Sequence, residues 1–584
     1  MSLNSRELIL GQIPDNFNPQ KHIPLGPFCF ADKEKIYKNW TNLQLEDDPF
    51  SSLEDLKIAE KKCTDYGFYL LKGKTIFFNK KLNLNFSDKF WKIILFPWLT
   101  YFIQTTYERQ IRLHVFINKF EDEKIHVKLV KDNIVWNFNN CLEYYYNGIQ
   151  NSIYNEWIFS RILENILPKN WTFEYNDRST LYPQTLITKR QNRFKNYLKN
   201  FYLFKFKSGF SRVYGVYGFI FLDYILFNLV LFFRKPKNKY LHNNIINYFD
   251  NNKFANCDIN WDFDFNLIFE KVIPKFILDL PIRINKFKKE KYSFNKVNLI
   301  SAAEIYHEDN DLKIKLALRY EYGEKLISVQ HGGHNYGTSK FNSLANIVEY
   351  NQYAFITWGW KEQEDYKGNF IPLPNPYLSK FTNKYRKNNN INILVGNYMN
   401  YFFISFRGSP QSKQQLKYRD GKLVLLNNLN PDVKENLFYR PYPHLFHGYS
   451  DAEYCKDIYP ELKIIYDYKD FHKQMWHCNL LILDHPGTTL IMALVANIPL
   501  ICFWKKEHYP LSHQNENLLN EFIKFGIFHT DPEKAAKKIN EVYNSTKDWW
   551  SDENIQKVRL DFLNVHGLTD KYWRKKWINY LRSI

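Results

Sequence analysis

Several features that would announce a function are missing from this chain. Its seven cysteines, Cys29, Cys63, Cys141, Cys257, Cys455, Cys478 and Cys502, are scattered through 584 residues with no CxxC pair and no zinc-finger spacing. An odd, dispersed set argues against a disulfide framework and fits reduced thiols in a cytoplasm. There is no P-loop, no GxGxxG fingerprint and no HExxH pair, so the common marks of ATPases, dinucleotide enzymes and zinc proteases are absent. The opening residues MSLNSRELILGQ lack the apolar core of a secretory leader. No helix-turn-helix or RNA-binding aromatic signature accompanies the net charge of +19. Lys, Asn, Ile, Phe and Tyr are all abundant together, as in an AT-rich genome, so the charge is not read as a nucleic-acid footprint. The length implies two or three domains.

The most informative stretch is residues 479 to 504, NLLILDHPGTTLIMALVANIPLICFW. Residues 480 to 483 are wholly apolar, as in a parallel strand buried on both faces. Asp484-His485-Pro486-Gly487 interrupts the run. Thr488 or Thr489 reads as the N-cap of a helix over 490 to 496, Asn497 as its C-cap, and 500 to 503 as a second strand. Such a βαβ unit puts its loop at the carboxyl end of a strand, where open α/β sheets bind ligands. The free amides and hydroxyls of the helix start suit a phosphate or carboxylate.

Regular α/β patterning begins near residue 297, with strands expected at 297 to 302, 325 to 329 and 353 to 358. A helix over 310 to 322 is capped by Asp309 and closed by Gly323. The loop QHGGHNYG, residues 330 to 337, leaves the middle strand. Its glycines allow close approach to a ligand, and His331 and His334 can move protons near neutral pH. After a linker over 370 to 391 comes a second α/β domain, with strands at 391 to 395, 437 to 439 and 462 to 466 besides the two above. Its helices are expected at 469 to 477, 516 to 525 and 531 to 543, the last opened by Asp531-Pro532. Arg440 follows the strand at 437 to 439 and offers a planar fork to a diphosphate or carboxylate.

Elsewhere, 90 to 120 reads as a buried helix kinked or interrupted at Pro97, and 151 to 167 as another helix. An apolar run at 8 to 10 and a tight loop at Gly26 mark the start of the chain. The DxD pair Asp262 and Asp264 lies outside the regular strands and reads as chance, so no metal is expected. Residues 187 to 245 stand apart: a basic, aromatic segment, an apolar run over 215 to 233, then Arg234, Lys235, Lys237 and Lys239. The run is marginal in length for a membrane span, and Asp223 within it is unfavourable there. A buried helix pair, a helix lying in a membrane surface with basic flanks, and a span all stay open.

Taken together, Leu25-Gly26-Pro27-Phe28-Cys29, QHGGHNYG, Trp358-Gly359-Trp360, Arg440-Pro441-Tyr442-Pro443, Thr488-Thr489 with Asn497-Ile498-Pro499 and Phe503-Trp504, and Trp549-Trp550 resemble a bacterial transferase family first defined in leptospires and found in O-antigen and other surface-polysaccharide gene clusters. The resemblance covers nearly the whole chain. It implies an α/β fold with two Rossmann-like domains facing across a cleft, GT-B-like, carrying an aromatic-basic helical insertion and a helical C-terminal tail. Residues 1 to 385 form the acceptor domain, 386 to 546 the nucleotide-sugar domain, and 547 to 584 a tail packing back on the first. The activity implied is transfer of a sugar from a nucleotide-activated donor to a glycan or lipid-linked acceptor at the inner face of the cytoplasmic membrane. The His-Gly loop is also similar to that of teichoic-acid glycerophosphotransferases, and His485-Pro486 to that of transferases using CMP-activated acid sugars.

The chain departs from the family in two places. Leu490-Ile491-Met492-Ala493 stands where a Glu is usual, and Asn351-Gln352 where an Asp is expected, with Glu349 nearby. The expected catalytic residues are His331, Gln330 and Glu349. The expected donor-binding residues are Gly332, Gly333, Arg440, His485, Pro486, Thr488 and Thr489. No cofactor is expected beyond the nucleotide-sugar co-substrate; the partners expected are the donor and a glycan or lipid-linked acceptor, with an anionic membrane surface one of the open readings of the basic segment, and no nucleic acid. A sugar-nucleotide epimerase or hydrolase, a glycerophosphotransferase, and a non-catalytic scaffold are the alternatives.

Overall fold

The computed structural model describes residues 5–50, 52–179, 211–234, 257–287, 290, 292, 296–301, 311–333, 336–363, 366–397, 400–442, 451–467 and 471–584. His334, Asp309 and much of the basic segment over 187 to 245 lie outside them. The described strands form three sheets, every pairing parallel. Parallel pairing needs a crossover between strands, so helices cover the sheet faces and the strands buried on both sides become apolar throughout.

The first sheet has the order β2-β1-β3-β4, from β1 (Arg6–Ile9), β2 (His22–Pro24), β3 (Ile125–Val130) and β4 (Thr172–Asn176). Its helices are α1 (Leu53–Leu82), α2 (Asp88–Phe120) and α3 (Ser152–Ile166). The sequence reading found the apolar run and the turn near its start but not the sheet. Helix α2 is buried on nearly every side from Phe90 to Leu113, its charges paired as Glu108 with Arg109 and Arg112, so it is central, and it runs without a break through Pro97.

The second sheet runs β5-β6-β7-β8-β9: β5 (Val213–Tyr214), β6 (Val297–Ser301), β7 (Lys325–Val329), β8 (Ala354–Thr357) and β9 (Phe370–Pro372). It carries α4 (Phe221–Phe232) and α5 (Asp311–Glu321). Strand β9 corrects the expected linker, whose first residues pair with β8. Pro372 is tolerated there because β9 is the edge strand.

The third sheet has the order β12-β11-β10-β13-β14-β15. Its strands are β10 (Asn392–Val395), β11 (Leu437–Arg440), β12 (Lys463–Ile464), β13 (Leu480–Leu483), β14 (Leu500–Phe503) and β15 (Phe528–His529). Its helices are α6 (Gln414–Asn428), α7 (Asp451–Ile458), α8 (Thr488–Ala496), α9 (His513–Lys524) and α10 (Pro532–Val542). This is the doubly wound order, and the direction of winding reverses between β10 and β13. Asn497 closes α8 in the left-handed conformation, as its sequence position predicts, but the N-cap is Gly487 and not a threonine.

After the short helix Thr546–Trp550 the tail continues as α11 (Glu553–His566) and α12 (Trp573–Ser583). Helix α11 packs on the third sheet's α8 and α9. The chain then crosses to the second sheet, where Leu568 N donates to Trp358 O at 2.7 Å and α12 packs on α4. Gly359 holds a φ of 137°, and a Cβ there would meet Val565 O at 2.7 Å, so this crossing requires a glycine.

Candidate active site

The loops leaving β7 and β13 meet. Gly333 N donates to Thr488 Oγ1 at 3.0 Å, joining the QHGG loop of the second sheet to the first turn of α8 on the third. The seam continues where Ser512 N donates to Thr338 O at 3.1 Å and Asn515 Nδ2 to Gly337 O at 2.6 Å. A Cβ on Gly333 would sit 2.6 Å from Ile491 Cδ1 and 3.2 Å from Thr488 Cα, so a side chain there would have to push Ile491 and the helix start aside. The carboxyl edges of two sheets thus face one another, with the winding reversal of the third sheet at the junction. Thr488 is the first helical residue, one past the N-cap Gly487, and its hydroxyl accepts across this seam.

On the third sheet, β13 ends at Asp484, which is 1% exposed. His485 Nδ1 donates to Asp484 Oδ1 at 2.8 Å, and Lys422 Nζ from α6 donates to Oδ2 at 2.9 Å. Lys422 also pairs with Asp451 at 3.0 Å, and Tyr439 donates to Asp451. Burial alone would raise the Asp484 pKa; Lys422 and His485 outweigh it and hold the carboxyl below its usual value. Asp484 therefore stays ionised and fixes the tautomer and tilt of His485. The other ring nitrogen, Nε2, lies against Gly487 at the start of α8, where a Cβ would approach it to 2.7 Å. Asp484, Lys422 and Asp451 were not singled out from sequence. Asp484 was findable as the neighbour of His485, whereas Lys422 and Asp451 arrive from separate helices and leave no local signal.

On the second sheet, His331 Nδ1 lies 3.1 Å from Tyr336 Oη, and Tyr336 donates to Glu349 Oε1 at 2.9 Å. Glu349 is 3% exposed, sits in a π-helical turn, Ala345–Tyr350, and its Oε2 has no partner among the described residues. Burial pushes its pKa well above the carboxylate range, with only the Tyr336 hydrogen bond opposing. His331 and Glu349 are thus brought together through Tyr336, a residue that no local pattern marks out. Gln330 is buried and fully engaged: its Oε1 accepts from Trp358 N and Trp360 Nε1, both at 2.9 Å, and its Nε2 donates to Gly332 O at 2.8 Å. It shapes the loop and explains the Trp-Gly-Trp motif opposite.

Arg440, at the end of β11, lies on the same edge two strands from β13 and stacks on Phe471 with 3.7 Å from Cζ to ring centroid. Thr489 is half-buried at the α8 start, and Pro486 is buried beside it. A hollow next to the dyad is lined by Lys417, Tyr418, Asp484, Lys505 and His508. Burial pushes His508 down to about 4, so it is neutral at pH 7. Among the described residues no three His, Cys, Asp or Glu side chains cluster as a metal site. Of the DxD pair, Asp262 pairs with His114 at 2.7 Å and Asp264 caps the helix Phe265–Lys271.

A family model described as the LIC12162 family transferase matches residues 6–581. The chain belongs to the LIC12162 transferase family. Among solved structures it is similar to MurG of Acinetobacter baumannii, at 9% identity over 52% of this chain and 76% of that one, with a TM-score of 0.29. It is also similar to the wall teichoic acid polymerase TagF, at 12% identity over 52% of this chain and 84% of that one, with a TM-score of 0.27. The search of the curated proteins returned no match. As a LIC12162-family protein the chain is a transferase, and its facing parallel sheets give it a GT-B-like architecture.

Proposed function

We propose that this transferase moves a sugar from a nucleotide-activated donor to a glycan or lipid-linked acceptor of a surface polysaccharide. The observation that carries the reading is the Gly333–Thr488 contact, which sets His331 and His485 on opposite sides of one seam. The donor diphosphate would lie at the α8 start, where the amides, Thr489, Arg440 and the lysines of the adjacent hollow favour negative charge. His485, oriented by Asp484, would donate a proton or hydrogen bond to the leaving phosphate. His331 would take the acceptor's proton and pass its own Nδ1 hydrogen bond to Tyr336. A lipid-linked acceptor would place the protein at the inner face of the cytoplasmic membrane. The Asp484–His485 dyad would equally serve a transferase passing an alcohol phosphate from a CDP-activated donor.

The test is thermal unfolding in the presence of CMP, CDP, UDP, GDP and dTDP, on wild type and on Arg440→Ala. A nucleotide at about 100 times its Kd adds roughly 2.7 kcal/mol of stability. Stabilisation of wild type by one nucleotide, lost in the variant, supports the donor site; stabilisation by CMP as well as CDP would favour the alcohol-phosphate reading, because a CDP-alcohol that gives up its alcohol phosphate leaves CMP. No shift with any nucleotide overturns both and leaves a scaffold.

A further inference from the structure

Helix α4 is apolar on both of its faces, yet the described residues cover only one. Phe227 is fully buried and stacks near Trp573 and Trp577 of α12, with Val230 and Leu231 beside it. Asp223, which from sequence counts against a membrane span, is only 1% exposed and points inward: it accepts from Ile220 N at 2.9 Å as part of the helix start and pairs with Arg574 of α12 at 2.6 Å. The outer face holds no charge. Leu222 is 67% exposed, Leu229 45%, Phe232 50% and Phe233 72%, with Phe221 adjoining. Positions 222, 229, 232 and 233 recur at helical spacing, so this is one stripe and not isolated surface residues.

The surroundings are basic. Residues 570 to 584, which include the helix packed on α4, carry Lys571, Arg574, Lys575, Lys576 and Arg582 against the single acid Asp570. Lys380 anchors at the start of α4 by donating to Gly218 O at 2.6 Å. Arg234 follows the helix's other end. A twelve-residue helix is about 18 Å long, short of the roughly 30 Å of a bilayer core. Among the described residues no helix is long and apolar enough to cross a membrane. An apolar stripe too short to span, rimmed by cations, fits the plane of an anionic bilayer, with the side chains entering the acyl boundary and the lysines meeting headgroups.

We propose that α4, flanked by α12, is the surface through which this transferase docks on an anionic membrane. The docking is independent of which donor or acceptor the enzyme uses, and its test contains no nucleotide. The full chain is sedimented with vesicles of phosphatidylcholine containing phosphatidylglycerol and with pure phosphatidylcholine. Wild type should pellet with the first, less with the second, and release on adding salt. Leu222→Ser/Phe233→Ser removes two exposed side chains, each worth about 10-fold when buried, and should weaken binding at least that much with an unchanged melting temperature. Lys571→Ala/Lys575→Ala should cost about 5-fold per residue on anionic vesicles only. Three results overturn the proposal: no binding to either lipid, a double-serine variant that binds as well as wild type, or a double-serine variant with a lowered melting temperature, which would mean the chain itself covers the face. So would a dimer seen without vesicles and dissolved by the same variant, which would assign the stripe to a second copy.

Discussion

The two halves of the site use the same pair of groups, a histidine and a carboxylate, in opposite electrostatic settings. On the third sheet Asp484 touches both Lys422 and His485 and is held ionised despite burial. On the second sheet, among the described residues, Glu349 hydrogen-bonds Tyr336 alone and its Oε2 has no partner, and burial favours its neutral form. Environments that drive two carboxyls apart in pKa are how one site performs acid and base steps at a single pH. His485 is coupled to a permanent negative charge and suits proton donation to a leaving group. His331 is coupled to a group able to change protonation, and suits taking a proton from an acceptor.

Removing the third-sheet dyad should have the largest effect. His485→Gln is expected to lower turnover roughly 100- to 10,000-fold with little change in KM, using the nucleotide donor that thermal unfolding selects. Asp484→Asn should reproduce much of that loss, because the amide no longer fixes the imidazole. A His485→Gln variant with near-normal turnover would remove the dyad from the chemistry and end the comparison.

Lys422→Met tests what keeps Asp484 charged. Lys422 is wholly buried between two carboxylates, so its loss should cost roughly 3–5 kcal/mol at pH 7 in urea unfolding. The sign with pH follows from the depressed Asp484 pKa. Its contribution is present above the unfolded value of about 3.9 and disappears as pH falls through the folded value. The variant should lack that contribution, so its deficit relative to wild type should shrink in acid.

The seam offers a third contrast between adjacent glycines. Gly333→Ala should cost about 1–3 kcal/mol by forcing Ile491 and the α8 start away. At Gly332 the nearest atom to an added Cβ is Thr488 Oγ1 at 3.5 Å, an ordinary contact, so Gly332→Ala should leave the melting temperature near wild type. Equal effects at the two positions would mean the loops do not pack in solution as described.

The legibility of the sequence follows the same division. The β13–α8–β14 unit was readable because Leu480–Leu483 and Leu500–Phe503 are apolar throughout and Asn497 and Pro499 punctuate them. The QHGG loop was readable as glycines after a buried strand. The first sheet was not: β1 opens with Arg6 and Glu7, and β4, Thr172–Asn176, is an exposed edge that carries little hydrophobic pattern. Thr488 is not the cap its place suggests: it stands one past Gly487, and its partner, Gly333 N, is 155 residues away. Lys422, Asp451 and Tyr336 depend on tertiary contacts that no local spacing encodes. The apolar run at 215 to 233 was visible, but only the fold shows that Asp223 faces inward and Leu222 and Phe233 outward.

The finest test concerns Glu349. If burial keeps this acid neutral at pH 7, glutamine is nearly the same group, with an oxygen for Tyr336 and a donor where Oε2 stands alone. Glu349→Gln should then change stability by less than about 1 kcal/mol. The pH dependence carries the sign. A carboxyl whose folded pKa is raised contributes stability that is full below its unfolded value of about 4.3 and is lost as pH climbs toward the folded value. Wild type pays that cost on alkalinisation and the glutamine variant does not, so melting temperatures measured between about pH 5 and 8 should shift in the variant's favour as pH rises. Asp484→Asn should show no such gain. A Glu349→Gln variant destabilised at neutral pH as much as Asp484→Asn would mean that Glu349 is ionised. The two histidines would then share one electrostatic setting, and their roles would have to be separated by geometry alone.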